Sequence, residues 1–365
     1  MPTQQLPREL LEACVREVAK ARADGFQPGG MPSDRQEAAR RLGIHPRTFD
    51  NRLQIAKARF GLDPENVQPP KDPSPVKLPE FPDNDIPTEE IIETLKKRFE
   101  KRKERADAEK WWPVKIKDEG PFAICHWGDV HLDSPGCDWP TLEKHVRLVA
   151  ETPHVYGLNI GDTVDNWPQS GRLLKLYAQS DNSEETAWKL AKWFLVDSGI
   201  TWVVWLLGNH DLWNQGKYVL KYMNSGVGVP MFDWGSQFVL KCGKREWRIW
   251  ASHDFPGHSM WNTLHGPQKA AHIKERADLY ICGHKHNWAL HQEESGSRDF
   301  TYWLARARGY KYLDDYSSKL GHFPQERGSS IISVHDTVTG SLTCFPDVEE
   351  GLDYLQFKRS KAGCE

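Results

Sequence analysis

No Cys-x-x-Cys pair occurs anywhere in the 365 residues, and the seven cysteines are odd in number. That pattern points to reduced thiols, not to a disulfide framework. The opening stretch MPTQQLPREL has no apolar core, so no secretory signal is expected. The longest apolar run, Trp202 to Leu207, is too short to cross a bilayer. Charge of one sign is also missing. The formal net charge is -3, so no global field draws the chain to nucleic acid or to a membrane. A soluble, cytoplasmic protein is expected, with no membrane partner.

What is present suits a globular chain: 38% apolar residues, 27% charged, and enough length for one large domain and a smaller one. The charge is unevenly spread. Residues 1–60 hold 11 basic and 7 acidic side chains, whereas the remainder is net acidic. A basic head points to an anionic partner there. Tryptophan is abundant at 16 residues, and packing explains it better than base stacking because no basic interleaving accompanies it.

Apolar residues at Leu10, Leu11, Cys14, Val15 and Val18 recur at helical spacing. Ser33 then reads as an N-cap, with a short helix ending at Gly43. The turn GIHP leads into a third helix, RTFDNRLQIAKARFG. A short helix, a tight glycine turn and a basic helix form a helix-turn-helix pattern. The segment EAARRLGIHPRTFDNRL resembles the DNA-binding helix-turn-helix family. That resemblance implies a groove-reading helix from Pro46 to Phe60, with Arg47, Thr48, Asn51 and Arg52 near bases or phosphates. A packing or dimerisation module is the alternative.

Residues 61–87 are rich in Pro, Asp and Asn and read as a linker, followed by a charged helix over 88–110. From Trp112 onward apolar strands alternate with helices, and hairpins follow from Phe232. The expected fold is α/β, a two-sheet sandwich with a small all-α domain before it. The expected division is a head at 1–60, linker and charged helix at 61–117, a main domain at 118–350 and a tail at 351–365.

Five polar clusters lie where a strand meets a loop: Gly128-Asp129-Val130-His131, Gly161-Asp162-Thr163-Val164-Asp165, Gly208-Asn209-His210-Asp211, Ser252-His253-Asp254 and Gly283-His284-Lys285-His286. Carboxylate, amide and imidazole donors suit divalent cations. Ligands of open α/β sheets bind beyond the carboxyl ends of strands, so one convergent site is expected.

The order DxH, GDxxD, GNHD, H, GHxH resembles the calcineurin-like metallophosphoesterase superfamily, over about residues 119–350. The resemblance implies two divalent ions, Mn²⁺ by first choice and Fe or Zn otherwise. Asp129, His131 and His286 would hold one ion. Asn209, His253 and His284 would hold the other, with Asp162 between them. His210 would be the general acid or phosphate contact, oriented by Asp211, and Asp165 would stand behind the ligands. Two cations bind phosphoryl oxygens and acidify a shared water, so hydroxide attacks phosphorus in line. Protein phosphatases of this superfamily carry Arg after the second Asp of GDxVD. Here Asn166 follows Asp165, which moves the reading away from them.

Arg306 and Arg308 lie in a basic stretch after the strand FTYWLA and are candidates to contact substrate. The leading expectation is a dimetal phosphodiesterase or nuclease acting on DNA. The alternatives are hydrolysis of small nucleotides or cyclic nucleotides, with the head used for targeting or dimerisation, and a DNA-binding regulator with an inactive core. A homo-oligomer is compatible with each.

Overall fold

The computed structural model describes residues 6–67, 85–178, 182–296, 300–312 and 326–364. The chain divides into two compact units, Met1–Pro87 and Thr88–Glu365. This boundary differs from the expected one: the charged helix belongs to the larger unit, and the expected linker lies mostly at 68–84, outside the described residues.

The smaller unit has three helices, α1 (Arg8–Ala23), α2 (Asp34–Arg41) and α3 (Pro46–Phe60). Leu11, Val15, Val18, Ala38, Phe49 and Leu53 form their common core. The Ser33 side chain accepts from the Gln36 amide while Gln36 reaches back to the Ser33 amide, which fixes the start of α2. Gly43, at φ 64°, supplies the left-handed turn between α2 and α3. Buried Asp34 is neutralised by Arg22 at 2.6 Å. On α3, Arg47, Thr48 and Asn51 are exposed, while Arg52 is half-buried and hydrogen-bonds the Cys14 thiol. Arg52 therefore belongs partly to the helix packing.

The larger unit begins with helix α4 (Thr88–Ala108) and strand β1 (Lys110–Lys115). The sequence pattern does not predict the latter. It runs parallel to β6 (Gly235–Cys242) as an edge strand. Ten further strands are β2 (Phe122–Trp127), β3 (Val155–Asn159), β4 (Trp202–Leu207), β5 (Met231–Asp233), β7 (Arg245–Ser252), β8 (Leu279–Cys282), β9 (Ala289–Ser295), β10 (Phe300–Arg306), β11 (Ser330–His335) and β12 (Leu342–Phe345). They form two six-stranded sheets, ordered β1-β6-β7-β8-β10-β9 and β12-β11-β2-β3-β4-β5.

β2 shows why its sequence is apolar at every position. Phe122 and Ile124 join the cluster that also holds Phe238, Ile249 and Ile281 of the other sheet. Ala123, Cys125 and Trp127 point the other way, into a cluster with Val146 and Val149 of helix α5 (Trp139–Glu151). A strand covered on both faces cannot alternate in polarity. Residues 351–365 were expected as a tail. Most of them instead lie in helix Val348–Ala362, with Val348 and Leu355 buried in that same outer cluster. Among the described residues, no helix is long and apolar enough to cross a membrane.

Two fully buried histidines share one hydroxyl: His126 Nε2 and His335 Nε2 lie 2.8 and 3.0 Å from Ser333 Oγ. Burial pulls His126 down to about 3 and His335 well below its ordinary value. Both rings are therefore neutral in the fold but titrate near 6.5 once unfolded. Their stabilisation is complete above pH 6.5 and declines as pH falls below it. Urea unfolding is expected to show a loss of about 1.4 kcal/mol per pH unit for each ring between pH 6 and 4. A flat profile in that window would contradict this.

Candidate active site

The five clusters fold together. The loops after β2, β3 and β4 come from one sheet, and those after β7 and β8 from the other. Ligating atoms of Asp129, His131 and His286 fall within 4.8 Å of one another, as do those of Asp162, His253 and His284. A third group joins His131, Asp162 and His210 on the same terms. Asp162 thus sits where the clusters meet. Asn209 completes the second group, with its Oδ1 3.1 Å from His253 Nε2.

The backbone is bent to achieve this. Asp129, His131, Asp162, His284 and His286 all have φ between 48° and 72°. Left-handed conformations cost non-glycine residues about 1–3 kcal/mol each and concentrate at functional sites. The flanking glycines leave room for the bends. A Cβ on Gly283 would stand 2.1 Å from Asp129 Oδ2, and one on Gly208 would stand 2.2 Å from Asp162 Oδ1.

The donor set suits divalent cations. Asp129 Oδ1, His131 Nε2 and His286 Nδ1 are buried without a hydrogen-bond partner among the described residues. Leaving such atoms unpaired costs free energy that a cation recovers. Burial pushes the Asp129 carboxyl up to about 7, a sign of negative charge held without enough compensation. Burial likewise drives His286 well below its ordinary value, leaving it in the neutral form a ligand needs. Burial opposes charge on His253, but Asp162 at 3.2 Å outweighs it and holds the ring up to about 10. Its other nitrogen, Nδ1, pairs with the Ile160 carbonyl at 2.9 Å, which fixes the ring.

Behind these groups, Asp165 lies 2.7 Å from His131 Nδ1 and 3.0 Å from Lys311 Nζ. That contact holds the His131 ring in place. Asp165→Asn is expected to weaken Mn²⁺ affinity by about 10–100-fold. Calorimetric titration with Mn²⁺ checks this, and unchanged affinity would argue against the role.

Three expectations need correction. Asp211 does not orient His210: its carboxylate accepts from the amides of Asp162 (2.7 Å), Thr163 (3.0 Å) and Gly208 (2.9 Å). It ties the second and third motif loops together. The His210 ring is held instead through Nδ1 by the Asp165 carbonyl. Arg306 is fully buried and donates to the carbonyls of Thr263 (3.1 Å) and Gly283 and to Asp254 (3.0 Å). Arg308 is buried too, with Nη2 on Ser329 Oγ at 2.6 Å. Both brace loops and offer no guanidinium to a substrate.

Tryptophans beside the site were missed. Trp167 and Trp213 pack against His210 with ring centroids 4.7 and 4.2 Å away, and Trp234 lies 5.2 Å from His253. The first two stand two residues beyond Asp165 and Asp211, a proximity that was available in the sequence. Trp234 had no such signal. Burial in this aromatic setting draws His210 down to about 4.

The family model for calcineurin-like phosphoesterase matches residues 122–288. Among solved structures, vacuolar protein sorting 29 from Cryptosporidium parvum is 13% identical, with a TM-score of 0.33 over 63% of this chain and 100% of that one. The NAD nucleotidase of Haemophilus influenzae is 10% identical, with a TM-score of 0.34 over 62% of this chain and 49% of that one. Nuclease MPE of Pseudomonas putida is 14% identical, with a TM-score of 0.28 over 61% and 87%. No curated protein sequence matches the chain.

Proposed function

The chain carries a calcineurin-like phosphoesterase domain and is a metal-dependent hydrolase of phosphoesters, and from that premise we propose that it is a phosphodiesterase that cleaves DNA. The observation that carries the substrate is the second unit. A hydrolase is joined to a three-helix head whose last helix offers Arg47, Thr48 and Asn51 to solvent. Such side chains at the start of a helix suit phosphates and base edges.

In this reading Asp129, His131 and His286 would hold one divalent ion, and Asn209, His253 and His284 the other, with Asp162 placed among both groups. Divalent ions bound there would supply Lewis acidity toward phosphoryl oxygens and acidify water at the site. The protein's own groups do the rest. The Asp165 carbonyl accepts from His210 Nδ1, which leaves Nε2 facing the site 3.9 Å from Asp162 Oδ2. A phosphoester anion beside that ring favours its protonated form. Nε2–H then donates to the departing oxygen.

Plasmid and single-stranded DNA incubated with Mn²⁺ test the proposal, with His210→Ala and a chelator as controls. Chelator-sensitive strand cleavage is expected, and none with Mn²⁺ present would sink it. A second reading, hydrolysis of small nucleotides, is favoured by the half-buried Trp167 and Trp213 packed beside His210, aromatic faces on which a base can stack. It predicts turnover of cyclic or mononucleotides with DNA left intact.

A further inference from the structure

Trp261 is 93% exposed, and Met260 beside it is 83% exposed. Packing accounts for the buried Trp127, Trp202, Trp205 and Trp247, and it does not account for this one. A lone exposed apolar side chain needs no explanation. Two in a row call for one when a built loop holds them out beside a cluster of ligating side chains.

The loop is closed at its base. It starts at His253, directly after β7, and ends at the helix His265–Ile273. Phe255 and Leu264 are buried near its two ends. Arg306 clasps those ends, donating to Asp254 at 3.0 Å and to the Thr263 carbonyl at 3.1 Å, and it also donates to the Gly283 carbonyl beside His284. Lys285, between His284 and His286, donates to the Gly257 carbonyl at 3.3 Å. At the tip the Ser259 hydroxyl accepts from the amides of Trp261 (3.2 Å) and Asn262 (3.1 Å), and Asn262 Oδ1 accepts from the Leu264 amide at 2.9 Å. Compact loops closed in this way are frequently functional.

Three observations say what the tip meets. First, Trp261 lies two residues from Thr263, a reach of at most about 7 Å. One guanidinium then joins the Thr263 carbonyl to that of Gly283, so the tip belongs to the rim of the fourth and fifth motif loops. Second, Trp234 marks the near end of the same rim. It is 40% exposed, packs on His253 and His284 with ring centroids 5.2 and 6.1 Å away, and donates to the Asp254 carbonyl at 3.2 Å. Third, residues 255–274 carry Lys269, Lys274 and three histidines and no acidic side chain, so a polyanion meets no repulsion from them.

We propose that the Met260–Trp261 tip is a stacking platform for a base of a single-stranded nucleic-acid substrate, a few nucleotides from the bond being cleaved. An unpaired, splayed base offers an indole the face it needs, whereas a base inside a duplex does not. The inference rests on the reading of the chain as a DNA phosphodiesterase and names the form of strand it takes.

Steady-state hydrolysis of a short single-stranded oligonucleotide and of bis-nitrophenyl phosphate, both with Mn²⁺, tests it. The small diester is too short to bridge the site and the tip. Trp261→Ala is expected to lower the ratio of kcat/KM on the oligonucleotide to that on the small diester about 5- to 100-fold, through KM. Trp261→Tyr keeps a stacking face and should recover most of that loss. An unchanged ratio in Trp261→Ala would overturn the proposal, as would an equal loss on both substrates or a Tyr variant as poor as Ala. Cosedimentation with phosphatidylserine vesicles that Trp261→Ala abolishes, with the ratio unchanged, would assign the tip to a membrane surface instead. A wild type that hydrolyses the small diester and leaves DNA intact would overturn the DNA reading and this proposal together. DNA cleavage indifferent to Trp261 would overturn this proposal alone.

Discussion

Asp162→Ala is expected to abolish phosphoester hydrolysis, by on the order of 10³-fold or more. The residue serves two donor groups at once, lying with His131 and His210 on one side and with His253 and His284 on the other. Its Oδ1 also accepts from the His210 amide at 2.9 Å. Removing it takes away the charge common to both groups. A metal centre contributes several kcal/mol of transition-state stabilisation, and each 1.36 kcal/mol is tenfold in rate. The variant should also lose tightly bound metal, which elemental analysis of the purified protein measures. Wild-type metal content together with wild-type turnover would remove Asp162 from the centre. The loss should exceed that of Asp165→Asn, because Asp165 acts on the centre only through His131.

His210→Ala should behave differently. A positioned proton donor contributes about 10²–10⁴-fold, and that is the expected fall in turnover. Metal content should stay intact, because the ring lies 3.9 Å from Asp162 Oδ2 and the two main donor groups do not need it. The fall should shrink for a nitrophenyl diester, whose departing oxygen needs no proton, and be largest for DNA. Turnover of both substrates against leaving-group acidity reads this out. An equal loss on both would assign His210 to phosphate binding or metal holding in place of proton donation. Loss of metal from the variant would likewise assign it to metal holding.

The parts that were legible in the sequence share a physical cause. Asp129, Asp162, Asn209, His253 and His284 follow apolar runs directly, and a parallel strand delivers whatever follows it to one edge of the sheet. The apolar runs themselves were readable because both faces of β2 and β4 are buried. Roles decided by folded partners were not readable. Asp211 sits beside His210 in the chain, yet three amides from two loops claim its carboxylate. Arg306 looked like a free cation because nothing in FTYWLARARGY reveals that the carbonyls of Thr263 and Gly283 converge on it. The strand character of KWWPVK also depends on a distant element, since β6 supplies its hydrogen bonds. The last helix lacked a clean apolar face, and only Val348, Gly351, Leu355 and Arg359 are buried.

The donors originate on both halves of the sandwich. Asp129, His131, Asp162 and Asn209 hang from one sheet, and His253, His284 and His286 from the other. Ions bound among them would act as a removable rivet across the sandwich, so thermal stability should track ion activity. The melting temperature should climb with the logarithm of free Mn²⁺, with a gain of about 2.7 kcal/mol at a hundredfold excess over the dissociation constant. Chelation should then loosen amide exchange protection in β7 and β8 together with β2 and β3, because the two halves would part along the same seam.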